Sequence, residues 1–249
     1  MIDISKAVHD YVLVERESES GKLYPSSLGG CIRASMYRFH KHPKTHPFPP
    51  LLLWDFERFK WYEGVIAEAL KHSVTGLQVP VVDLFWSGKI DMTLHDNELS
   101  EAYLCEDKTI SPWAPVANMP YPYHKAQVWC YWLLARAMGY EYDKALLIYI
   151  DRWTTKLPNI RVFDVTPTEQ EVIATRLLMD TFEDWSQREP DDLPPQPWSE
   201  PQDEDAWRCV RWQHISKGHY EWRIQCQWFG RCWPQYVDKS GEFQPELPF

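Results

Sequence analysis

The chain has 249 residues, 44% of them apolar and 15% aromatic. That composition excludes a disordered protein and supplies enough apolar material for a sizeable core. A formal net charge of -10 argues against a nucleic-acid partner, since phosphate binding needs cationic surface, but the charge is unevenly spread. Residues 189–205 hold seven acids, five prolines and no base. Cys31 to His46 carries Arg33, Arg38, Lys41 and Lys44 without an acid, and Ala206 to Trp233 carries Arg208, Arg211, Lys217, Arg223 and Arg231 against Glu221 alone. The start "MIDISKAVHD" has no apolar signal core, and no run is long enough to span a bilayer, so the protein is expected to be intracellular and cytoplasmic with no membrane partner. Thiols stay reduced there, and the six cysteines read as buried, reactive or metal-bound rather than disulfide-paired.

Along the chain, "YPSSLGGCIRASMYRFH" opens with turn residues and continues as a helix, with Ser26 or Ser27 the expected cap. A proline-rich loop leads into "LLLWDFERFKWYEGVIAEALKHS", a long helix interrupted only by Gly64. "LQVPVVDLFW", "KIDMTLH" and "AYLCEDKTI" read as three strands in meander order, separated by Ser-Gly and "DNELS" turns. "YHKAQVWCYWLLARAMG" is a helix apolar nearly all round, with Gly139 as its C′ residue. "KALLIYI" and "IRVFDV" are further strands. Thr166-Pro167-Thr168-Glu169 reads as a capping box for a helix with Ala174, Leu178, Phe182 and Trp185 on one stripe. The order predicts an α/β or α+β sandwich. The expected divisions are a core at 1–188, an acidic proline-rich linker at 189–205 and a cysteine-rich tail at 206–249.

Alternation along a strand places Asp91 with Lys89 and Thr93, away from the apolar Ile90, Met92 and Leu94. Glu106 and Lys108 share a face, and Asp107 points opposite. If the two strands pair, Asp91 and Glu106 converge beside Lys108. Two carboxylates so close repel unless a cation sits between them. A hard divalent ion, Mg²⁺ or Mn²⁺, suits oxygen ligands. With an adjacent ammonium, such a set matches phosphodiester cleavage; taken alone, the same residues also match a solvated strand face.

In order, "SSLGGCIRASMYRF", "EGVIAE", "GKIDMTL", "EDK" and "QVWCY" resemble the motifs of the PD-(D/E)XK nucleases, specifically the RecB-type exonuclease branch that includes the iron–sulfur CRISPR-associated nucleases. The resemblance implies a restriction-endonuclease-like core, a central mixed sheet flanked by helices. It implies metal-dependent hydrolysis of DNA, as an exonuclease on single strands or duplex ends. It makes Glu68, Asp91 and Glu106 the Mg²⁺ or Mn²⁺ ligands, with Glu63 as the fallback for Glu68, because many relatives carry histidine there. Asp91, Glu106, Lys108, Gln127 and Tyr131 become the catalytic set; Gln127 and Tyr131 are four apart, so they share a helix face with His124. Arg33, Arg38, Tyr131 and Arg211 are the expected DNA contacts. Protein partners would be those of a recombination, repair or CRISPR-adaptation complex.

Cys105 and Cys130 read as core residues. Cys31, Cys209, Cys226 and Cys232 lie in the two basic segments. The iron–sulfur relatives use such a split set to bind a 4Fe–4S cluster that ties the chain ends together. The family tail commonly spaces its first two cysteines by two residues, whereas sixteen residues separate Cys209 from Cys226 here. Either the loop is expanded or another group fills that place; His214 and His219 lie inside the gap, and a Cys₃His zinc site is the competing reading. The alternative to a nuclease is a non-catalytic iron–sulfur or zinc DNA-binding or assembly module. An iron–sulfur redox protein ranks last.

Overall fold

The computed structural model describes residues 21–48, 50–111, 114–151, 159–196, 198, 209–216, 219–224, 226–237 and 242; the side chains of 50–52 and 210–223 fall outside that description. The elements in chain order are α1 (Ile32–Phe39), α2 (Pro50–Ala69), β1 (Val74–Val82), β2 (Ser87–Asp96), β3 (Glu101–Ile110), α3 (Pro122–Ala137), β4 (Lys144–Asp151), β5 (Ile160–Asp164), α4 (Glu169–Ser186), β6 (Val210–Ser216), β7 (His219–Ile224) and α5 (Phe229–Cys232). The chain forms two compact units. The first takes Met1–Gly29 with Pro50–Glu183, and the second takes Gly30–Pro49 with Asp184–Phe249. This division differs from the sequence expectation, because the Cys31 segment leaves the core and joins the tail. Among the described residues, no helix is long and apolar enough to cross a membrane.

The first unit is α/β, built on a five-stranded sheet of order β1-β2-β3-β4-β5. The meander β1–β2–β3 is antiparallel, as the short turns between its strands require. β3 and β4 run parallel, and α3 is the crossover between them. One face of the sheet packs Met92, Cys105, Ile148 and Ile150 against Ile66 of α2. The alternate residues Leu104 and Leu147 are fully buried on the other face, where α3 lies. Gly139 ends α3 with φ of 86°, as a C′ glycine does.

Two caps fall elsewhere than the sequence pattern placed them. Ser27 sits in a 3-10 turn, Pro25–Ser27, and the N-cap of α1 is Cys31. The box that opens α4 is Thr168 with Glu171: the Glu171 N–H donates to Thr168 Oγ1 at 3.3 Å, and the Thr168 N–H donates to Glu171 Oε2 at 2.9 Å. Thr166 instead donates to Asp164. The buried stripe of α4 is correspondingly Thr175, Met179 and Phe182, and Ala174 is exposed.

In the second unit the tail forms a β6–β7 hairpin and the short α5. Its apolar centre is Cys209, Phe229, Trp233 and Tyr236. The residue 30–49 segment is bound to the tail through backbone groups. The Thr45 and His46 N–H groups donate to the Gln227 carbonyl at 2.8 and 2.9 Å, and the Trp228 indole donates to the His42 carbonyl at 3.0 Å. The described part of the 189–205 stretch is packed here rather than free. Arg33 donates to the Pro194 carbonyl at 2.5 Å, His42 Nε2 meets the Pro190 carbonyl at 2.9 Å, and Gln196 donates to the Cys232 carbonyl.

Candidate active site and thiol centre

The carboxylate site is built by strand register. β2 and β3 pair as Asp96 with Glu101 through Met92 with Cys105; one further step brings Asp91 opposite Glu106. At that point the ladder opens. The Asp107 N–H turns to Asp91 Oδ2, at 3.0 Å, in place of a strand carbonyl. Gln78 Nε2 donates to the other oxygen, Oδ1, at 3.2 Å. Glu106 is 2% exposed. Its Oε1 accepts from Gln127 Nε2 at 2.6 Å and from the Lys108 ammonium. Its Oε2 is buried and meets no donor among the described residues.

Burial, and then the nearby Asp91 carboxylate, push the Glu106 pKa well above the ordinary range against the pull of Lys108. Burial acts to lower the Lys108 pKa, yet attraction to Glu106, Asp91 and Glu63 leaves it above its usual value. The Lys108 side chain is held against Glu106. Gly88, three residues before Asp91, makes room for this arrangement. A Cβ there would stand 2.7 Å from the Tyr131 ring and 3.0 Å from Pro25, so only glycine lets α3 come this close to β2.

The site also has a component on the α2 face. Asp107 is 8% exposed and its Oδ1 has no hydrogen-bond partner among the described residues. Burial, then Asp91 and Glu63, raise its pKa to about 7. Glu63 of α2 is likewise raised to about 7, by burial and then Asp91. Glu68 is not part of the site. It is exposed and pairs with Lys71 at 2.8 Å. The physical reason is helix rotation: Ile66 and Tyr62 pack toward the sheet, which turns Glu63 inward with them and Glu68 outward.

Gln127 and Tyr131 share a face as expected, and Gln127 Nε2 donates to the Tyr131 hydroxyl at 3.4 Å. Tyr131 is 5% exposed, so it braces Gln127 from within the core rather than meeting DNA. His124 faces Tyr149, with Nδ1 2.9 Å from its hydroxyl, and not the carboxylates. Gln78 and the Asp107 backbone are the members the sequence left unseen. The cross-strand register of β1 was the signal for Gln78, and it is not available before the fold.

In the second unit, Cys31, Cys209, Cys226 and Cys232 are all unpaired thiols. The β6–β7 hairpin occupies the sixteen-residue gap and returns the chain so that the Cys226 N–H donates to the Cys209 carbonyl at 3.3 Å. Cys209 is thereby brought beside Cys226. Burial first, and the neighbouring Cys226, Cys31 and Cys232 next, push the Cys209 thiol up. Cys226 is raised to about 12 by burial, with Cys232 and Cys31 adding to it. Burial raises the core thiols Cys105 and Cys130 in the same way, and a cation would have to hold this set for it to become four thiolates. The buried Glu106 Oε2, which meets no donor among the described residues, fits a divalent ion. Among the described residues, no three His, Cys, Asp or Glu side chains are already gathered into a metal-holding group. The side chains of His214 and His219 lie outside the described residues.

The expected DNA contacts divide differently. Arg33 Nε donates to the Tyr37 hydroxyl at 3.2 Å besides holding Pro194. The Arg38 guanidinium lies over the Trp228 ring, 5.8 Å from its centre. Both cations are committed to the second unit's own structure, and the Arg211 side chain lies outside the described residues.

No family model matches the chain, and no curated protein matches it. Among solved structures it is similar to SSO0001, known from a crystal structure, with 16% sequence identity over 74% of this chain and 87% of that one and a TM-score of 0.49.

Proposed function

We propose that this chain is a metal-dependent DNA nuclease of the PD-(D/E)XK type, acting as an exonuclease on single-stranded DNA or DNA ends. One observation carries the reading: Glu106, buried with one oxygen that meets no donor among the described residues, shares its other oxygen between Lys108 and Gln127 and stands opposite Asp91, one step beyond the Met92–Cys105 pair. A buried carboxylate left half-satisfied costs free energy that a cation would return. Asp91 and Glu106 would hold Mg²⁺ or Mn²⁺, with Glu63 and not Glu68 as the helix carboxylate. Such an ion supplies an acidified water and neutralises developing charge on phosphate. Lys108 keeps an ammonium beside the reacting phosphate oxygens. Gln127, braced by Tyr131, fixes the Glu106 carboxylate.

In the second unit, Cys31, Cys209, Cys226 and Cys232 would hold a 4Fe–4S cluster, or a zinc ion with His214 or His219 in place of one cysteine. Its role is structural, joining the tail to the residue 30–49 segment. The thiol centre is also what favours the second reading, a non-catalytic DNA-binding or assembly module. Single-stranded DNA labelled at the 5′ or the 3′ end, incubated with Mn²⁺ and with or without EDTA, separates the two. Cleavage with Mn²⁺ that stops in EDTA is the expected result, and DNA binding without cleavage overturns the nuclease reading.

A further inference from the structure

The candidate site has a support on β1 that the motif residues do not include. The β1–β2 ladder pairs Leu77 with Met92 and Val79 with Ile90, so Gln78 stands opposite Asp91. Gln78 has φ of 49°, the left-handed region that side chains other than glycine, asparagine and aspartate rarely adopt. The ladder also shifts register between Val74 and Gly76. A Cβ at Gly76 would fall 2.6 Å from Val79 Cγ2 and 2.9 Å from Thr93 Oγ1. Irregularities of this kind re-aim a side chain, and here the side chain re-aimed is an amide that donates to Asp91 Oδ1 at 3.2 Å.

Gln78 is exposed. Water alone would satisfy its amide, so no burial requirement explains the contact, and for the fold alone glycine would be the better residue. With the Asp107 N–H on Oδ2 and Gln78 on Oδ1, the Asp91 carboxylate is clamped between β1 and β3.

We infer that Gln78 is a positioning residue for Asp91, held in a strained backbone so that its amide fixes the carboxylate. This rests on the reading of Asp91 as a metal ligand. Two variants separate the amide from the strain. Gln78→Gly removes both, and Gln78→Met keeps the backbone requirement but removes the donor. Melting in EDTA, Mn²⁺ titration and single-stranded DNA cleavage are the measurements. Gln78→Gly should melt about 2–4 °C higher than wild type, while both variants lose roughly 10–100-fold in Mn²⁺ affinity and kcat, with KM for DNA unchanged. Wild-type Mn²⁺ affinity in both variants would overturn the role of Gln78 alone. A wild-type protein that binds no Mn²⁺ and cuts no DNA would overturn the nuclease reading, and the support role with it.

Discussion

The two units hold their polar groups by different means. In the first, Asp91, Glu106 and Lys108 sit on neighbouring strands of a five-stranded sheet, brought together by a ladder that ends one step away at Met92 and Cys105. In the second, Cys31 precedes an eight-residue helix, while Cys209, Cys226 and Cys232 surround a hairpin and a four-residue helix. A small cluster of Cys209, Phe229, Trp233 and Tyr236 provides its core. The sheet can therefore carry a frustrated carboxylate without any ligand, because the cost is spread over a large core. The thiol unit has little apolar surface to spare, so ligand binding there would also be folding energy.

The sharpest way to break this contrast is to remove ligands from each unit. Asp91→Ala or Glu106→Gln, the second keeping an acceptor for Lys108, should cut DNA cleavage about 10³-fold or more while leaving a cooperative unfolding transition in EDTA. Lys108→Ala should lose turnover to a similar degree yet still bind Mn²⁺. Loss of that transition in these variants would mean that the carboxylates are structural. The two helix carboxylates should differ: Glu63→Gln should lower cleavage about 10-fold, and Glu68→Gln should leave it at wild-type level.

For the thiol unit, protein purified without oxygen should be brown and contain about four irons per chain. Serine at Cys31, Cys209, Cys226 or Cys232 should bleach it and speed limited proteolysis of the tail. Serine at Cys105 or Cys130 should leave iron content unchanged, because both thiols are buried in the first unit. A colourless protein holding one zinc, lost on substitution of His214 or His219, would replace the cluster with the zinc site.

Acid should affect the first unit in a defined direction. Asp107 and Glu63 have folded pKa values of about 7, above the ordinary unfolded carboxyl range near 4. The folded state thus binds more protons between those limits, and stability falls as pH rises from about 4 to about 7. Measured in EDTA, the wild-type melting temperature should drop by several degrees across that window. A chain of this size moves about 2–4 °C per kcal/mol. Asp107→Asn should flatten the slope, and an unchanged slope would remove Asp107 from the coupled set.

The smallest effect concerns the second unit's cations. Arg33→Ala should destabilise that unit by about 1–2 kcal/mol through loss of the Tyr37 and Pro194 bonds. Faster proteolysis near residues 184–196 would report it. The salt dependence of DNA binding should not change, and a shallower salt slope would restore Arg33 as a phosphate contact.

Local periodicity alone determined much of this protein. The two-residue repeat of β3 puts Glu106 and Lys108 on one face and Asp107 on the other although both faces are buried, and the four-residue spacing of Gln127 and Tyr131 put both on one helix face. These are one-dimensional facts, because a strand repeats every two residues and a helix every 3.6. Tertiary structure decided what periodicity leaves free. The helix α2 is apolar around much of its circumference, so its rotation, and with it the choice of Glu63 over Glu68, was set by Ile66 packing on the sheet. Tyr149 captured His124, and the hairpin returned Cys209 to Cys226 across sixteen residues. The strand register β1–β2 put Gln78 beside Asp91. Each depends on which surfaces meet, and that is fixed by packing between segments distant in the chain rather than by the residues next to one another.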